Sequence, residues 1–187
     1  MDKVVIDIET KNSFADVGGR DRVTALDMSF IGAYSYNQDK YFSFREGNFE
    51  GLTEFFKKAG LIIGFSINRF DIPILNKYVN FDLFNIERLD LLDEIELAAG
   101  RRVGLDILAK ANLGIGKTSH GLQAIEFYKA GDWESLEKYC LNDVKITKDL
   151  YELAKAKGRL LVPDYITGGN LPVALEFKEL LFPQTLF

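Results

Sequence analysis

The chain has little of what most often staples or anchors a protein. Among its 187 residues there is one cysteine, Cys140, one histidine, His120, and four prolines. A single cysteine excludes an intramolecular disulfide and fits a reducing compartment, so the cytoplasm is the expected location. No apolar run approaches the roughly 18 residues of a membrane span. Asp2, Asp7 and Glu9 interrupt the apolar N-terminal stretch, which therefore does not read as a signal peptide. A basic excess is missing too: 28 acidic residues against 23 basic ones leave a net charge of -5. Such a chain does not coat nucleic acid through charge alone. Nucleic acid is not thereby excluded, because carboxylates can meet phosphate through metal ions that reverse the local sign.

Core material is plentiful, at 47% hydrophobic and 13% aromatic residues. A chain of this length buries about 70% of its unfolded surface as one domain. Val4 to Thr10 reads as a first strand, followed by a long polar loop from Lys11 to Asp27. Met28 to Asn37 and Lys40 to Phe44 read as a ribbon. Phe49 to Ala59 reads as a helix stopped by Gly60, and Leu61 to Phe65 as a short buried strand. Phe70 to Tyr78 is expected to be helical, with Pro73 in the first turn, and Glu87 to Leu91 to be a further strand. Helices are expected over Asp93 to Ala99, Leu105 to Ala111, Leu122 to Lys129 and about Trp133 to Ala156, the last capped by Asp132. Strands first and helices after, with a strand–helix–strand unit between, imply an α/β domain with a mixed sheet flanked by helices. That domain is expected over residues 1–159, with 160–187 a tail packing on it or on a partner.

Three stretches carry chemistry. In Asp7-Ile8-Glu9-Thr10 the two acids are two apart on a strand, so both carboxylates project from one face. Side by side they repel, and a divalent cation is the usual relief. Asp71 opens a helix, where the positive helix end keeps a carboxylate ionised. Tyr139 and Asp143 are four apart in the long helix and share a face. Each has a plainer alternative: a wet strand face, a helix cap, a surface pair.

Together, in this order, these residues resemble the three exonuclease motifs of the DEDD superfamily, ribonuclease H-like 3′–5′ exonucleases, in its tyrosine-bearing (DEDDy) branch. Asn68-Arg69-Phe70-Asp71 with Pro73, and Tyr139-Cys140-Leu141-Asn142-Asp143, are similar to proofreading domains of family B DNA polymerases and to free-standing exonucleases of that fold. The likeness spans Val4 to about Leu153, and with no polymerase module following, it implies a free-standing nuclease. It implies a ribonuclease H-like fold with a central five-stranded sheet. It also implies that Asp7 bridges two divalent ions, Glu9 and Asp143 complete one site, and Asp71 helps hold the other. Two such ions about 4 Å apart activate the attacking water and stabilise the leaving oxygen. Ligands that are all oxygen point to Mg²⁺ or Mn²⁺. Tyr139 would orient the water, since a free tyrosine of pKa about 10 is a poor general base.

The expected substrate is the 3′ end of single-stranded DNA, or of RNA. Thr10 and Asn68 match positions lining the terminal nucleotide, and Phe14 is a candidate to stack on a base. Lys117, Arg101 and Arg102 are candidates for phosphate and equally for a solvated face. His120 lies in a loop 23 residues before Asp143, so it cannot stand in for Tyr139. Gly116-Lys117-Thr118 resembles the end of a phosphate-binding loop, but that motif needs glycine where Ala111 stands. Two rivals share the fold: a non-catalytic binding module and an endonuclease acting on the RNA strand of a hybrid.

Overall fold

The computed structural model describes residues 1–115, 122–164 and 167–177 of the chain. Lys117, Thr118 and His120 therefore lie outside the described residues, as do 178–187 of the expected tail.

Val and Ile at successive positions make β1 (Asp2–Thr10) the middle strand of a mixed five-stranded sheet. On one side it pairs antiparallel with β2 (Met28–Ser35), which pairs with β3 (Lys40–Arg45). On the other it pairs in parallel with β4 (Ala59–Gly64), which pairs with β5 (Glu87–Asp90). The order is β3-β2-β1-β4-β5, as the expected fold class requires. Between the strands lie α1 (Leu52–Lys57) and α2 (Asp71–Leu75); after them come α3 (Leu91–Ala99), α4 (Leu105–Leu113), α5 (Gln123–Ala130) and α6 (Trp133–Lys157).

The pleat sorts β1 into two faces. Val4, Ile6 and Ile8 join Leu52, Phe56, Ile62, Ile72 and Ile74 in one core. Val5 packs into the other, with Ile63, Leu108, Val144 and Leu150. Asp7 and Glu9 continue the face that begins with Val5, beneath α6. Residues of α6 at turn spacing, among them Cys140, Asp143, Val144, Thr147 and Leu150, are buried.

Several expected boundaries move, among them that of the Phe70–Tyr78 helix, which is α2 over Asp71–Leu75 followed by a 3-10 turn over Asn76–Tyr78. The first helix ends at Lys57, because Ala59 and Gly60 are taken into β4, where Ala59 pairs with Asp2. The Lys11–Asp27 loop contains a 3-10 turn over Arg20–Ala25. After α6 the chain turns through Gly158 at φ 66° into a hairpin, β6 (Arg159–Pro163) and β7 (Asn170–Ala174). Leu160, Val162 and Leu175 of this segment lie in the same core as Val5 and Leu150.

Candidate active site

Two glycines let the chain pack closely around the C-terminal end of β1. Gly32 is paired with Asp7 across β1 and β2. A Cβ there would come within 3.0–3.1 Å of Leu141 Cδ2, Cys140 Sγ and Val144 Cγ2, so its bare backbone allows α6 to cross directly over the strands. Gly64 ends β4 where a Cβ would sit 2.1 Å from Ile67 Cγ2. The chain then turns through Ser66, a non-glycine residue at φ 69°, and buries Ile67. Asp90 holds this turn: its carboxylate accepts from the backbone N–H of Ser66 at 2.7 Å and of Asn68 at 2.9 Å. It also caps α3 through Leu92 N–H at 3.0 Å.

These constraints deliver five of the anticipated residues to one cavity of about 610 Å³. Asp7 and Glu9 reach it from β1, Asp71 from the first turn of α2, and Tyr139 and Asp143 from α6. Thr10 and Phe14 line it as well. Asn68 does not: its side chain is engaged between Arg88, whose Nε donates to Oδ1, and Asp93, which accepts from Nδ2, both at 2.9 Å. Asp90 holds its backbone N–H, and its amide lies between Arg88 of β5 and Asp93 of α3. Phe14 meets Phe70 edge-on at 5.8 Å, and the Arg20 guanidinium lies 5.9 Å from its ring centroid.

The acids crowd one another. Burial pushes the Asp7 carboxyl well above the usual range, and the charges of Glu9, Asp143 and Asp71 push it further. Its Oδ2 is buried and, among the described residues, has no hydrogen-bond partner. Asp71 is pushed up to about 8, mainly by burial, against a bond from the Ile8 N–H to its Oδ1 at 3.1 Å, so burial outweighs the helix end that was expected to keep it ionised. Asp143 and Asp71 are both buried. Desolvated acids facing one another with a bare oxygen among them suit a divalent cation, which would supply the absent partner.

Cys140 sits behind them, its sulfur within 4.8 Å of ligand-type oxygens of Asp7 and Glu9. The thiol donates to the Asp7 carbonyl at 3.2 Å, and the Gly32 N–H donates to its sulfur at 3.1 Å. Burial, then the Asp7 and Glu9 charges, push this thiol well up in the metal-free protein.

Four further cavity residues, Arg20, Ser66, Arg69 and Arg102, come from loops and helix ends; only Arg102 stood out in the sequence. Asp90 lay inside the expected Glu87–Leu91 strand; an aspartate just before an apolar helical run is the signal that could have marked it as a cap. Its second role, tying the turn that carries Asp71, appears only in three dimensions.

A model of the RNase_H superfamily matches residues 4–155 of the chain. Among solved structures, the family B DNA polymerase from the hyperthermophilic archaeon Pyrobaculum calidifontis matches with a TM-score of 0.63 at 19% identity, over 83% of this chain and 24% of the polymerase chain. At that identity the likeness is one of fold, and this chain spans about a quarter of the polymerase's length. No curated protein matches the chain. Among the described residues no helix is long and apolar enough to cross a membrane.

Proposed function

The chain belongs to the RNase_H superfamily, and on that premise we propose that it is a metal-dependent 3′–5′ exonuclease acting on single-stranded nucleic acid, with DNA the favoured substrate and RNA the alternative. The observation that carries this reading is the convergence of Asp7, Glu9, Asp71 and Asp143 with Tyr139 on one open cavity, around a buried oxygen of Asp7 that has no protein partner among the described residues.

The four carboxylates would hold Mg²⁺ or Mn²⁺, Asp7 centrally, Glu9 and Asp143 on one side and Asp71 on the other. When bound, such ions lower the pKa of a water and neutralise charge on the leaving 3′ oxygen. The protein's own groups do the positioning. Tyr139, on the same face of α6 as Asp143, directs its phenol at the attacking water and fixes its line of approach. Thr10 and Phe14 meet the terminal nucleotide, the ring of Phe14 offering a face that any base can stack on.

The test is digestion of 5′-labelled single strands of DNA and RNA with Mn²⁺ or Mg²⁺. A ladder shortening from the 3′ end is expected, faster on DNA, and lost in Asp7→Ala with its melting transition intact. Internal cuts would indicate a hybrid-type endonuclease, and binding without cutting a non-catalytic module. Full activity of Asp7→Ala would remove the assignment.

A further inference from the structure

The acids on the cavity floor repel a polyanion, yet one wall of the same cavity is cationic. Arg69, just before α2, and Arg102, between α3 and α4, both line it. Their guanidiniums meet on a single oxygen: Arg69 Nη2 donates to Glu96 Oε2 at 2.9 Å and Arg102 Nη1 to the same atom at 3.1 Å. Arg69 Nε also lies 3.7 Å from Asp93. Arg102 Nη2 reaches Ser66 Oγ at 3.3 Å, on the turn that Asp90 holds.

Formally the four charges cancel, and such a network on an open surface contributes little to stability. Its arrangement is uneven, however. The arginine side chains are 57% and 38% exposed, against 32% for Asp93 and 34% for Glu96, and the cavity is lined by the two cations and not by their acids. Glu96 and Asp93 hold the guanidiniums from outside the lining, and both arginines line the cavity that Asp7, Glu9, Asp71 and Asp143 share. Two planar forks set side by side match the unesterified oxygens of a phosphodiester.

We propose that Arg69 and Arg102, aligned by Glu96, form a clamp for a strand phosphate outside the scissile linkage, so that this site selects polynucleotide chains over mononucleotides without reading sequence. The proposal rests on the nuclease reading for the direction of the strand, but its measurement is binding and needs no cleavage.

The experiment is fluorescence anisotropy of 5′-fluorescein oligothymidylate with the full chain in Ca²⁺, across a salt series. Joint substitution Arg69→Ala and Arg102→Ala is expected to weaken binding about tenfold. It should also reduce the salt slope by about 0.7, the share of one phosphate on a single strand, so that affinity falls about 2.6-fold less between ~50 and ~200 mM salt. Oligonucleotides carrying one neutral methylphosphonate, at the second, third or fourth linkage from the 3′ end, probe the same interaction without altering the protein. At one of these positions the native protein should lose affinity while the doubly substituted protein loses nothing more. An unchanged salt slope, or a methylphosphonate penalty equally large in both proteins at every position, overturns the clamp. Parallel digestion with Mn²⁺ separates the two readings. Arginine-dependent binding without cutting sinks the exonuclease and keeps the clamp, and cutting with arginine-independent binding sinks the clamp alone. A strand that does not bind at all sinks both.

Discussion

Asp71→Asn tests the claim that this centre is assembled at the expense of stability. In the folded chain Asp71 is pushed up from an ordinary 3.8 to about 8. The folded state therefore binds this proton more tightly than the unfolded state does. Stability from this group is full below about pH 4, declines as pH rises toward about 8, and is level above that. At about 1.36 kcal/mol per pH unit the deficit approaches ~4 kcal/mol at pH 7 and ~6 kcal/mol above pH 8, as a ceiling. Asparagine removes the charge and keeps an oxygen for the Ile8 N–H, so the substitution should stabilise the chelated protein. For a chain of this size 1 kcal/mol moves the melting temperature by about 2–4 °C, which makes about 8–16 °C the ceiling of the gain near neutral pH. The assay is thermal unfolding in EDTA from about pH 5 to about pH 9, with and without Mn²⁺. The native protein should lose melting temperature across that range and regain it on adding Mn²⁺, by about 2.7 kcal/mol at a hundred times Kd. The variant should show a shallower pH dependence, with the remainder due to Asp7, and a smaller gain from Mn²⁺. A native melting temperature flat from about pH 5 to about pH 8 in EDTA, or a variant less stable than native at about pH 8, would refute the reasoning.

Removing the phenol in Tyr139→Phe should lower kcat about 10- to 100-fold with little change in Mn²⁺ affinity, measured by steady-state cleavage beside a calorimetric titration. Gly32→Ala places a methyl within 3.0–3.1 Å of three α6 side chains, so urea unfolding should show a loss of about 1–3 kcal/mol and cleavage should slow as α6 is lifted from β1. In Cys140→Ala the Gly32 N–H loses its sulfur acceptor, and the denaturation midpoint should fall by about 1–3 kcal/mol equivalent. Asp90→Ala releases the Ser66 and Asn68 amides together with the α3 cap. A stability loss of about 2 kcal/mol or more is expected, and Mn²⁺ affinity should weaken because the turn leading to Asp71 slackens.

Local rules read much of this molecule in advance. Strand alternation sets Asp7 and Glu9 on one face, and helical spacing sets Tyr139 beside Asp143, because backbone periodicity decides both within a few residues. The mixed sheet and the long C-terminal helix were legible for the same reason. Tertiary structure decided the rest. Where a helix ends depends on pairing elsewhere, as when β1 recruits Ala59 and Gly60 into β4. Asn68 sits one residue from Arg69, yet the turn held by Asp90 directs it away from the cavity while Arg69 lines it. The hairpin of β6 and β7 forms from a proline-broken stretch whose Leu160 and Val162 find a core supplied by distant residues. Meetings between separated segments depend on the whole packing, and they alone bring Asp7, Glu9, Asp71 and Asp143 to one cavity and give it its cationic wall.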